Sequence, residues 1–355
     1  MSDVLFRKLQ KQLDQYSLGF PATESGIEIK ILKKLFSVDE AELFLQLSPR
    51  LETPDEIALR LGMDSQEAAN KLREMAGKGL LFSLNRKDVI RYGAIPFVHG
   101  LFEFQVTRID TELADLVRQY MNDSFRNAMA SSASHFLRVI PVHQSVPVQH
   151  KIAPYEDAIE LLRKAKPIVV TECMCRKTSK MLDKGCDKSR EVCFMFGSMA
   201  QYYLDHDMGR EVDLAEASRI LAKAHDEGLV TQPATSRNPS GMCNCCGDCC
   251  GPLSSLRSYP KPAEMVFSNH FVKIDDGLCT GCRTCMDRCQ MDAIQMNSSD
   301  LAIVNLDRCI GCGLCVGTCP TEAITLMQKS SGQYQVPPET TMEQMLNMAR
   351  SRGVI

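Results

Sequence analysis

Apolar residues recur at helical spacing early in the chain. Ile27, Ile31, Leu32 and Leu35 share one face of IEIKILKKLF, and DEAELFLQL carries the same period. A short helix and a Gly/Pro turn are expected ahead of them, within residues 1–25. TPDEIALRLG opens with Thr53 as N-cap, Pro54 at the first helical position and Glu56 three residues after the cap, and Gly62 closes it. DSQEAANKLREMAGKG repeats that grammar with Asp64 and Glu67. LLFSLNRKDVIRYG then reads as a hairpin turning at Asn85–Asp88. Residues 93–165 are expected to be mostly helical through FEFQVTRIDTELADLVRQYMNDSFRNAM. They end in an extended run in which Pro141, Pro147 and Pro154 exclude a helix, with Pro154 opening the helix EDAIELLRKA.

The order helices, turn, helix, hairpin over residues 26–92 resembles a winged helix. Farther on, KPIVVTEC reads as a strand delivering Cys173 to a loop, and REVDLAEASRILAKAHDEGLV as an amphipathic helix ended by Gly228. PLSSLRSYPKPAE has the composition of a linker. PETTMEQMLNMARSRG forms a short helix capped by Thr340 or Thr341. The expected class is α+β, in five parts: a winged-helix-like domain (1–95), a helical and extended connector (96–165), a cysteine-rich α/β domain (166–258), a second and smaller cysteine-rich domain (268–328) and a tail helix (329–355).

Composition changes this picture in one respect. Seventeen cysteines all fall between Cys173 and Cys319. The odd count, the chain length and the C-x-x-C and C-C clusters point to metal ligands rather than disulfides. A net charge of −3 gives no electrostatic case for whole-protein binding to nucleic acid or an anionic membrane. No apolar run is long enough to span a bilayer, and the N-terminus lacks the apolar core of a secretory signal. A cytoplasmic protein of an anaerobe is the expectation.

The most specific signal lies near the C-terminus. Cys279, Cys282, Cys285 and Cys289 follow C-x2-C-x2-C-x3-C spacing, and Cys309, Cys312, Cys315 and Cys319 repeat it, with Pro320 after the last. CTGCRTCMDRCQMDAI and CIGCGLCVGTCPTEAI are therefore an internal duplication. Three thiolates from one tight loop reach three corners of a cubane, and Gly281, Gly311 and Gly313 let the backbone turn closely around it. The module resembles the two-cluster bacterial ferredoxins over about residues 270–328, which implies a ferredoxin-like (βαβ)2 fold for the domain at 268–328. In that family the fourth Cys of each run ligates the other cluster. The resemblance thus implies one [4Fe–4S] cluster on Cys279, Cys282, Cys285 and Cys319, and a second on Cys309, Cys312, Cys315 and Cys289. Gln290 stands where the family usually has proline. Acidic residues outnumber basic ones by three between 270 and 328, the balance of a donor that docks on a basic partner face.

Nine cysteines remain upstream: Cys173, Cys175, Cys186 and Cys193 in one group, Cys243, Cys245, Cys246, Cys249 and Cys250 in another. Soft thiolates without clustered histidines suit iron–sulfur clusters or zinc. One or two further clusters are expected; a zinc site or a cluster with more than four thiolates stays open. Residues 138–328 resemble a group of multi-cluster ferredoxin-like proteins of anaerobes. The match lies in Cys173, Cys175 and Arg176, in Cys193, and in Cys243, Cys245, Cys246, Cys249 and Cys250, with Asp248 where another cysteine would stand. That resemblance implies electron transfer within redox complexes.

The helix bearing Gln66, Asn70, Lys71, Arg73 and Lys78 also carries Glu67 and Glu74, so it is no basic stripe. Arg86, Lys87 and Arg91 could reach phosphate from the wing. Met174, Met195, Met199 and Met242 read as apolar packing around the thiols. His143 and His150 read as loop residues. No nucleotide-binding or nucleophile motif is present, so no independent catalytic activity is expected. The reading is an iron–sulfur electron-transfer protein, a subunit of or donor to a larger oxidoreductase. Its N-terminal domain would dock a redox partner or a second copy of the chain. A redox-sensing transcription regulator and a reductase with a substrate-reducing cluster are the alternatives.

Overall fold

A computed structural model describes residues 2–125, 137–141 and 152–354. His143, His150 and most of the proline-punctuated run lie outside the described residues. Five helices open the chain: α1 (Ser2–Leu13), α2 (Ile27–Leu35), α3 (Val38–Leu45), α4 (Pro54–Leu61) and α5 (Ser65–Gly77). Side-chain caps start three of them. Ser37 and Thr53 each form a reciprocal capping box with a glutamate three residues on, and Asp64 accepts from the Glu67 N–H. The hairpin β1 (Phe82–Arg86) and β2 (Val89–Gly93) follows, and Glu52 adds a bridge to Tyr92 on its outer side.

Residues 93–125 depart from the expected long helix. The chain makes irregular turns over 97–105, with His99 at φ 56°, and only Thr111–Tyr120 (α6) is regular α-helix. Asp110 is the reason: its carboxylate accepts from Leu113 N at 2.8 Å, which starts a new helix rather than continuing an old one.

A five-stranded antiparallel sheet forms the centre, in the order β5-β3-β4-β7-β6. Its strands are β3 (Ile168–Glu172), β4 (Glu191–Phe196), β5 (Arg210–Glu211), β6 (Val230–Pro233) and β7 (Gly241–Cys245). Alternation divides its faces. Ile168, Val170, Phe194, Phe196 and Met242 pack with Leu161, Leu162, Ala217 and Leu221 of the helices Ala158–Lys164 and Leu214–Asp226. Val169, Cys193 and Met195 point the other way, into a core continuous with Leu9, Phe20, Leu72 and Phe104 of the N-terminal helices. Tyr202, on the helix Gly197–Asp205, pins this packing. Its hydroxyl donates to Ala76 O and Leu81 O at 3.1 and 2.9 Å, and its ring stacks on Phe104.

The segment of linker composition is instead folded. Gly251–Ser258 is a helix with Pro252 in its first turn, and Leu253 and Leu256, three apart, are buried. Beyond it, β8 (His270–Ile274) pairs antiparallel with β11 (Ile324–Gln328), and β9 (Ile294–Met296) with β10 (Ala302–Val304). The tail helix Thr341–Ser351, capped by Thr340, runs back to the N-terminal helices, where Arg352 binds Asp14 at 2.9 Å. Among the described residues no helix is long and apolar enough to cross a membrane.

Candidate metal centres

The duplicated loops draw the eight C-terminal cysteines into two sets. Cys279, Cys282, Cys285 and Cys319 line one small cavity; Cys289, Cys309, Cys312 and Cys315 line another. Each set combines three thiols of one run with the last thiol of the other. The loops close this tightly because glycine is used where nothing else fits. Gly281 has φ 67° and its absent Cβ would sit 2.3 Å from Asp300 O; at Gly311 the figures are 66° and 2.1 Å from His270 O. Backbone N–H groups of Ala302 and Ala293 point at Cys279 Sγ and Cys289 Sγ at 3.4 and 3.3 Å. Donors aimed at sulfur favour thiolate, the state a cluster needs. Burial opposes this, pushing the Cys312 thiol up to about 12. Four convergent thiols, sulfur-directed N–H groups and glycine cradles fit a [4Fe–4S] cubane in each cavity.

The upstream cysteines form two further groups. Cys173, Cys175, Cys250, Cys245, Cys243 and Cys193 lie next to one another pair by pair in one closed ring of neighbouring thiols. The sheet explains half of it. Cys243 and Cys245 alternate along β7 onto one face, and Cys193 is one position beyond the Phe194↔Met242 pair, opposite Cys243. Cys173, at the end of β3, caps the helix Met174–Met181 rather than entering a loop, and Cys175 follows in its first turn. Cys250 caps the helix Gly251–Ser258. The ring lies on the sheet face covered by the N-terminal core, and its members are buried or nearly so. Within it, the neighbouring Cys175 and Cys193 thiols hold Cys173 well below the usual thiol range, and Cys243 and Cys250 do the same for Cys245.

Cys186, Cys246 and Cys249 make the second group. Arg176 lies between the two. Its side chain is 2% exposed, donates to Asn244 O at 3.0 Å and reaches Cys246 Sγ at 3.7 Å. Burial opposes its charge, but Cys173, Cys193 and Cys246 together drive its pKa up. A buried guanidinium with no carboxylate partner among the described residues takes its counter-charge from thiolates. That is the physical content of the arginine in CMCR.

A cavity of about 290 Å³ adjoins the ring, walled by thiols on one side and by His99, Glu103, Arg118 and Tyr203 on the other. Sequence reading missed this wall, because nothing local marks residues 97–105 as site-forming. Burial pushes the Glu103 carboxyl up to about 7 and the His99 imidazole down to about 4. The duplicated C-terminal loops meet the sheet domain at Gln290. Its Oε1 accepts from Gly247 N at 2.8 Å and its Nε2 donates to Gly228 O at 3.0 Å. Arg288 binds the His225 and Asp226 carbonyls beside it.

These features define an iron–sulfur protein that carries [4Fe–4S] clusters in its C-terminal part and has an electron-transfer role. Residues 272–326 match the family model described as a 4Fe-4S dicluster domain. Comparison with curated proteins and with solved structures finds no match.

Proposed function

We propose that the chain is a multi-centre electron relay working as a subunit of, or donor to, a larger oxidoreductase. One ferredoxin cluster is held by Cys279, Cys282, Cys285 and Cys319, the other by Cys289, Cys309, Cys312 and Cys315, and a third iron–sulfur centre by the six-thiol ring. Each centre supplies one-electron transfer when bound. The protein's contribution is to ligate, to exclude water and to fix the separation. The observation that carries the reading is a shared packing layer. Cys289, Cys309 and Cys312 border the same buried cluster as Cys243, Cys245 and Cys250, with Leu253, Leu256, Met291, Ile310 and Leu314 between them. Apolar contact leaves no water gap to reorganise between the centres. Cys282 is the exposed thiol among the seventeen. A partner's electron would therefore enter at that end, and the acidic surplus of the module would orient it on a basic face.

The test is anaerobic purification with iron and sulfide counting. About eight irons per chain would limit the protein to its ferredoxin clusters and defeat the relay; about twelve or more would support a third centre. One observation favours a second reading. The cavity beside the ring presents Glu103 and Tyr203 to thiols, as a reductase would present proton donors to a bound substrate. Turnover of a small oxidised substrate by the cluster-loaded protein, lost in Glu103→Gln, would select it. A winged helix that binds DNA is less well supported, since Lys71 on α5 and Lys78 just after it are both paired with glutamates of that helix.

A further inference from the structure

We infer that Cys186, Cys246 and Cys249 form a separate mononuclear site for one zinc ion, with solvent from the adjoining cavity as the fourth ligand. This goes beyond the relay and does not depend on what the six-thiol ring holds.

Spacing is the first argument. Cys186 Sγ lies 3.6 Å from Cys246 Sγ and 3.8 Å from Cys249 Sγ, and all three lie within 4.8 Å of one another. Sulfurs bound about 2.3 Å from one tetrahedral zinc stand about 3.8 Å apart along each edge. Thiolates on a cubane hang from different iron corners and stand roughly 6 Å apart. The same chain provides the contrast. Among the described residues, neither set of ferredoxin thiols forms a group this tight, and neither does the ring.

Local architecture is the second argument. Cys246 and Cys249 are a C-x2-C pair on one turn, and each of the three sulfurs accepts a backbone N–H. Lys188 donates to Cys186, Cys249 to Cys246, and Cys186 to Cys249. This is the pattern of a metal knuckle, in which donors hold the thiolates oriented before the ion arrives. Gly185 lets the chain pass beneath Cys249. Its φ is 95°, and a Cβ there would meet Cys249 Sγ at 2.7 Å.

Charge is the third argument. Three thiolates and one divalent ion leave a single negative charge. Arg176, 3.7 Å from Cys246 Sγ, cancels it. Cys249, Gly185, Lys184 and Asp248 face the cavity, which gives the fourth position its solvent. Three protein ligands and one open position are what zinc accepts without redox change. Binding releases thiol protons and joins the loop carrying Cys186 to the turn carrying Cys246 and Cys249, so the ion acts as a clamp between the two halves of the cysteine-rich segment.

Metal analysis of the anaerobically prepared full chain tests this. The expected result is one zinc per chain, lost in Cys186→Ser with iron and sulfide unchanged. Loss of iron and sulfide together in that variant would make the three thiols part of a cluster and overturn the proposal. A wild-type chain with no zinc would also overturn it, as would a single sulfide-free iron at this site. Should Cys186→Ser fail to fold, cobalt substitution of the wild-type chain supplies a second readout. A tetrahedral thiolate spectrum that weakens in Cys249→Ser, with the ferredoxin iron retained, supports the assignment; an octahedral spectrum overturns it.

Discussion

Replacing Arg176 by methionine removes one buried positive charge and keeps much of the side-chain volume. The guanidinium is 3.7 Å from Cys246 Sγ, and against the opposing effect of burial Cys173 and Cys193 of the ring favour its charged form. Unit charges about 8 Å apart interact by about 2 kcal/mol at an effective dielectric of about 20. A cation stabilises the reduced, more negative state of a centre, so its loss lowers the potential. At about 59 mV per 1.4 kcal/mol for one electron, the expected fall is about 80 mV. Potentiometric titration followed by electron paramagnetic resonance reads it, with the two ferredoxin clusters as internal references. Arg176→Lys keeps the charge and restores most of the shift. An unmoved ring potential, or equal movement of all centres, would refute the role given to Arg176.

Four further outcomes are expected. Gln290→Ala removes hydrogen bonds to Gly247 and Gly228, about 1 kcal/mol each; electron transfer between the ferredoxin clusters and the ring should slow while the iron content holds, and an unchanged rate would remove Gln290 from the interface. Cys282→Ser should perturb the cluster on Cys279, Cys285 and Cys319 and spare the other, so loss of both spectroscopic signals would argue against the ligand sets. Glu103 has its pKa raised from 4.5 to about 7 by burial. As pH rises through that window the unfolded state sheds a proton that the folded state keeps, so stability falls by about 3 kcal/mol and levels off above pH 7; denaturant titration of Glu103→Gln should show that slope gone. Asp14→Asn, which breaks the half-buried pair with Arg352, should lower stability by about 1–2 kcal/mol and free the tail helix to proteolysis.

Much of the site was legible because its chemistry is written in local spacing. The duplicated runs specify their own loops, and the capping residues Thr53, Asp64 and Thr340 announce the helices they start. What stayed hidden depends on distant pairing. The upstream cysteines could not be sorted, since Cys186 belongs with Cys246 and Cys249 although Cys193 is nearer to it in sequence. Only the register of β4 on β7 sets Cys193 opposite Cys243. One clue was present: C-x-C in MCNC has the period of a strand face, whereas C-x2-C has that of a turn. The helix Gly251–Ser258 was obscured by its Pro and Ser content, because its first-turn proline and its Leu253–Leu256 spacing speak only once a partner surface exists. Gln290 reads as a defect in a ferredoxin loop until Gly247 and Gly228 stand beside it.

The pairing of Asp14 with Arg352 joins residues 338 positions apart. It ties the end of the first helix to the end of the last, so this contact becomes available only once nearly the whole stretch between them has been synthesised, and it is among the last long-range contacts the folding chain can make.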